Sequence, residues 1–195
     1  MKPILFEETL SLADYERVRA RLRPLFIHEK DRRRLGVGAH LTLLFENAQT
    51  VWYQVHEMIR SERMTAREAI QQELDTYNEL IPGPGELTAS LLIEYADTAE
   101  RDAALRRLVG LEDHLWLVLG DRRIAAKFDD RQMSPELISA VQFLRFPLDG
   151  IDADWFEDLA SRGAAAIEAD HPSLAARAVI GGLTAASLIE DLSQP

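Results

Sequence analysis

Cysteine is missing from all 195 residues. That removes disulfides, thiolate catalysis, zinc knuckles and cysteine-held iron–sulfur clusters from consideration. Long apolar runs are missing too: none approaches the roughly 20 residues that a membrane-spanning helix needs. The opening MKPILFEETL turns acidic too early for a secretion signal. The expected compartment is therefore the cytoplasm, with no membrane partner. Basic residues are in short supply, 22 Lys and Arg against 33 Asp and Glu, for a formal charge of −11. An acidic body argues against general nucleic-acid binding. There is no GxxxxGK[ST], no GxGxxG after a strand and no GxSxG elbow. Phosphate-loop, dinucleotide-binding and serine-hydrolase readings lose their support with them.

The positive charge that is present gathers early. Residues 1–34 hold nine Lys or Arg and six Asp or Glu, whereas the remainder holds thirteen against twenty-seven. Within that segment Lys30, Arg32, Arg33 and Arg34 form a basic run. Such a run either complements the end of a helix dipole or holds an anion: a small anionic ligand or an acidic protein partner.

Hydrophobic residues make up 47% of the chain and charged residues 28%, a balance suited to a packed core. The length fits one α+β domain over 1–195, with a mostly antiparallel mixed sheet of about five to seven strands and flanking helices. Residues 1–36 are expected to be a helical, basic segment packed on that domain. Ser11 caps its first helix, whose inner face is Leu12, Tyr15, Val18 and Leu22, and Pro24 kinks or divides it. Strands are expected at 40–46, 87–95, 115–119, 124–128, 139–146, 164–169 and 176–180. Gly120-Asp121 forms a tight hairpin turn between the third and fourth of these.

The stretch HLTLLFENAQTVWYQVHEMIRSE (40–62) organises the rest. Leu41, Leu43 and Phe45 alternate with Thr42, Leu44 and Glu46, as in a strand covered on both faces. Thr50 serves as N-cap of the helix that follows, and Thr65 with Glu68 forms a capping box for the next one. Val51, Val55, Met58 and Ile59 share a sector of the first helix, and Glu62 falls on that same stripe. Tyr53, Glu57 and Arg60 lie on the opposite side. A buried Glu62 would titrate high and an Arg60-paired Glu57 low, which is how a site separates an acid from a base. Glu62, Glu57 and Arg60 are therefore candidate catalytic residues. Arg145, in the apolar strand SAVQFLRF, joins them; its expected carboxylate partner is Glu62 or Glu94. Of the five histidines, His40 at a strand start and His171 in a turn could face a cleft. With Glu57 or Glu62 they would make a two-histidine, one-carboxylate set for iron or another divalent metal.

LTLLFENAQTVWYQVHEMIRSER, IQQELDTYNELIP, LIEYAD with ERDAALRRLVGLED, SAVQFLRF and DHP resemble, in order and over nearly the whole chain, a bacterial family known as domain of unknown function 3501. The resemblance implies a setting among rubrerythrin and iron–sulfur oxidoreductase genes, hence redox or peroxide-stress metabolism. A non-catalytic binding or accessory role is the alternative. His40, Glu57, Arg60, Glu62, Arg145 and His171 match the family pattern, whereas Gln142 stands where that pattern has histidine.

Overall fold

A computed structural model describes residues 1–132 and 134–193. After a 3-10 turn at Phe6–Glu8 comes a single helix, α1 (Leu12–Arg32), with Ser11 accepting from the Asp14 amide as N-cap. Pro24 lies inside it and does not end it. Proline deprives the carbonyl one turn earlier of its donor, but Ala20 and Pro24 are both on the exposed side, where water can satisfy it. The buried side meets aromatic rings: Phe26 stacks on Trp52 and Tyr53 with centroids 5.5 and 4.9 Å away.

The chain continues through β1 (Arg34–Val37), β2 (Leu41–Phe45), α2 (Ala48–Ser61), α3 (Arg67–Asn78), β3 (Glu86–Ile93), α4 (Thr98–Arg107), β4 (Leu115–Leu119), β5 (Arg122–Ala125) and β6 (Lys127–Phe128). It closes with β7 (Val141–Pro147), α5 (Ala153–Ser161), β8 (Ala165–His171), β9 (Leu174–Val179) and α6 (Gly182–Leu192). No helix among the described residues is long and apolar enough to cross a membrane.

The α+β class is as expected, but the expected single sheet is two. One has five strands in the order β1-β2-β3-β7-β6 and the other four in the order β5-β4-β8-β9. All pairings are antiparallel. The 124–128 strand breaks at Ala126, whose amide still bonds the Leu115 carbonyl while the next residue joins the other sheet. Strand β1 was expected to be helix and loop, because Gly36 and Gly38 hide its strand signal. Gly38 is required where it stands: φ is +68°, and a Cβ would lie 2.9 Å from that of Ala176 on β9.

The inward faces of the two sheets share one core. Leu41, Leu43, Phe45, Leu91, Leu144 and Phe146 come from the first; Leu115, Leu117, Leu119 and Ile167 come from the second. Phe156, Leu159 and Leu188 add the inner sides of α5 and α6. Gln142 points into this core, fully buried, with Nε2 donating to the Ser139 carbonyl and Oε1 without a partner. A second core lies on the other face of the five-stranded sheet. There Val51, Val55 and Ile59 of α2 meet Ile70 and Leu74 of α3, with Leu80 and Ile81 beyond. Burying each such side chain contributes about 1.5–3 kcal/mol, which fixes both helices on the sheet.

Two caps differ from expectation. Asn47, not Thr50, caps α2; Thr50 is three residues in and closes the reciprocal bond to the Asn47 amide. Ala66 begins α3 with no side-chain cap, so Thr65 and Glu68 form no box.

Candidate functional site

The end of α1 decides what happens to the basic run. Arg33 turns inward and is 2% exposed, its guanidinium donating twice to Asp191 of α6 at 2.6 and 2.8 Å. Glu29, one turn back, takes its Nε, and Asn47 donates to the same carboxylate. Arg32 reaches Glu190. Lys30 and Arg34 are left with no carboxylate in ion-pair contact among the described residues. The Lys30 ammonium donates to Gln54 Oε1 at 3.2 Å and stands 5.4 Å from the Tyr53 ring centroid. Burial pushes its pKa down, and Arg34 nearby adds to that against the pull of Glu46.

Glu46 faces the same space from the sheet. Strand alternation puts Phe45 in the core and Glu46, just past the end of β2, on the outer face with Leu44 and with Ser90, the residue that pairs with Leu44. It is 7% exposed. Ser90 Oγ donates to its Oε1 at 2.6 Å, and Thr50 Oγ1 lies 2.5 Å from its Oε2. Two hydroxyls solvate this carboxylate; no cation among the described residues pairs with it. Tyr77 of α3 completes the wall, its phenol pushed up by burial first and then by the charge of Glu73.

Together these groups line a cleft of about 380 Å³ between α1, α2, α3 and the five-stranded sheet. Lys30, Arg34, Glu46, Gln54, Tyr77 and Ser90 supply polar atoms, and Leu44, Leu92, Val141 and Phe143 an apolar floor. Such a mixture, mostly apolar with a few convergent polar groups, is what small-molecule sites have. Another cleft of about 380 Å³ lies at the β6–β7 edge. There both arginines are already matched, Arg131 with Glu79 and Asp129 and Arg145 with Glu86, while Lys127 is exposed.

The residues singled out from sequence fall in other places. Glu57 accepts two bonds from Arg19, at 2.7 and 2.8 Å, and a third from Tyr15 at 2.8 Å. The Arg19 guanidinium chiefly holds its pKa at about 2. The expected partner Arg60 is more distant, at 3.6 Å, and half-buried. Glu62 does not face inward: it is the exposed residue after the last turn of α2. Arg63 follows at φ +53°, so the chain leaves the helix before the helical phase can carry Glu62 into the core. Arg145 bonds Glu86 and the Glu79 carbonyl, not Glu62 or Glu94, because antiparallel register sets it against Thr88 beside the start of β3.

His40 stacks on Tyr95 at 3.9 Å, with Nδ1 3.0 Å from the Glu94 carbonyl. His171 has both ring nitrogens engaged: Nδ1 accepts from the Ser173 amide at 3.1 Å, and Nε2 lies 3.2 Å from the Val109 carbonyl. Neither Glu57 nor Glu62 meets a histidine at these points. Among the described residues no group of three or more His, Asp or Glu side chains converges as a metal-ligand set.

Sequence reading missed Glu46, Ser90, Gln54 and Tyr77 as a group. One signal was available: Glu46 closes an apolar strand on a face that the adjoining helices must cover, so its carboxylate needed an explanation.

A family model described as "Protein of unknown function (DUF3501)" matches residues 3–192. The chain is similar to a protein of unknown function from Burkholderia pseudomallei K96243, known from a crystal structure. The two are 38% identical with a TM-score of 0.87, over 98% of this chain and 100% of that one. No curated protein matches. The chain belongs to the DUF3501 family.

Proposed function

We propose that this member of the family is a binding protein for a small anionic molecule, held in the cleft beneath the last turn of α1. The observation that carries the reading is Lys30. A half-buried ammonium has three donors, and here one meets a neutral amide oxygen while no carboxylate pairs with the charge. Its neighbours Arg32 and Arg33 are both matched to acids on α6. A carboxylate or phosphate entering the cleft would take up the free donors of Lys30, with Arg34 at the rim adding charge. Leu92, Val141 and Phe143 would cover an aliphatic body. Charge-assisted bonds in such a partly dry site are stronger than in water.

The test is calorimetric titration with valerate and with inorganic phosphate, on wild type and on Lys30→Met. The reading expects one of the two anions to bind wild type and the substitution to weaken it by at least about tenfold. Equal affinity for the Lys30→Met variant would remove the site from this cleft.

A further inference from the structure

We infer that the ligand is a zwitterion, with an amine and a carboxylate on one short aliphatic frame; this rests on the anion-binding reading above and goes beyond it. The cleft presents unmatched charges of both signs, Lys30 with Arg34 at the rim against Glu46. Lys30 on the α1 side is bonded to a neutral amide, and Glu46 on the sheet side is bonded to hydroxyls. They line one cavity and yet do not form an ion pair with each other. At the same helices the buried Arg33 is paired with Asp191 and Glu29, and the half-buried Glu57 with Arg19. A buried carboxylate left with neutral donors only is an expensive arrangement that a bound cation would relieve.

The groups around Glu46 fit that role. Ser90 and Thr50 hold its two oxygens in place from opposite elements, β3 and α2. Each oxygen keeps a second acceptor site. An ammonium donates and cannot accept, so it suits this end; a carboxylate suits Lys30, which only donates. The apolar floor between them admits methylene groups and no further charge. A simple anion would leave Glu46 unmatched and repelled, while a simple amine would leave Lys30 so.

The experiment uses four ligands of one carbon count: valerate, pentylamine, L-norvaline and 5-aminovalerate. Each is titrated against wild type, Glu46→Gln and Lys30→Met. One of the two zwitterions should bind wild type at least about tenfold more tightly than either valerate or pentylamine. Which one it is reads out the spacing of the two charges. Glu46→Gln should erase that advantage, with valerate binding the variant at least as tightly as it binds wild type. Glutamine keeps an acceptor for one hydroxyl, and the other can rotate to accept from the amide, so the fold is expected to survive; thermal melting checks it. Should Glu46→Gln unfold, the wild-type ranking of the four ligands still decides. Valerate binding as tightly as both zwitterions overturns the inference and leaves the anion reading standing. If none of the four binds at millimolar concentration, the inference is overturned, and the anion reading falls with it only if inorganic phosphate also fails to bind.

Discussion

Lys30 and Arg33 belong to one basic run and one helix end, yet they meet opposite circumstances. Arg33 sinks to 2% exposure and receives two carboxylates in return. Lys30, three residues earlier, stays half-buried and receives an amide oxygen. The difference teaches that a charge run has no single role. Three residues on a helix turn a side chain by about 300°, toward a different neighbour. For Arg33 that neighbour is α6; for Lys30 it is the open space over the sheet. The first contact is structural and complete, and the second is incomplete in a way that a ligand could finish.

Three substitutions sharpen the contrast, in order of size. Arg33→Met should cost about 3–5 kcal/mol in denaturant titration, because Asp191 loses its cation while remaining buried. Changing Asp191 to leucine in the same chain should recover much of that loss; a single substitution costing under about 1 kcal/mol would dissolve the distinction.

Glu57 provides a pH-dependent version. Its folded pKa of about 2 lies below the ordinary 4.5, so the carboxylate contributes stability above the ordinary value. That contribution fades as pH falls from about 4.5 toward 2. Glu57→Gln should therefore cost about 1–2 kcal/mol at neutral pH, solvent screening having reduced the full effect, and progressively less below pH 4. A cost that stays constant across that range would mean that Arg19 is not what stabilises the carboxylate.

Lys30→Met should have the smallest effect: within about 0.5 kcal/mol of wild type, or a gain, since no partner loses its counter-ion and a desolvated charge disappears. A loss of several kcal/mol on the same titration would make Lys30 a structural cation like Arg33.

Much of this fold was legible in the sequence. Ser11 caps its helix as expected, and Gly120-Asp121 makes the hairpin turn between β4 and β5. Those features are local: a cap or tight turn is decided by a few adjacent residues. The partition into two sheets was not legible, because it depends on Ala126 bonding one sheet while its successor joins the other. Pairing partners were also hidden. Arg145 meets Glu86 through antiparallel register, and Arg33 meets Asp191 across 158 positions. Helical phase located Val55 and Ile59 correctly and failed at Glu62, one residue past the last of the helix and just before the turn at Arg63. Glu46 was seen as an alternating strand residue, but the cleft around it requires α1, α2 and α3 in place together.

The bond between Arg33 and Asp191 also imposes an order of assembly. At roughly 5–20 residues per second, Arg33 leaves the ribosome many seconds before Asp191. Until α6 emerges, the guanidinium that ends α1 has only Glu29, its own neighbour on the helix, to hold it. The last turn of α1 carries Lys30, with Arg34 just beyond it, and its buried ion pair is completed only by that distant carboxylate. A nascent chain can thus form its first helix and sheet pairings early. The cleft that Lys30 and Arg34 help to line is buttressed from the far end of the chain.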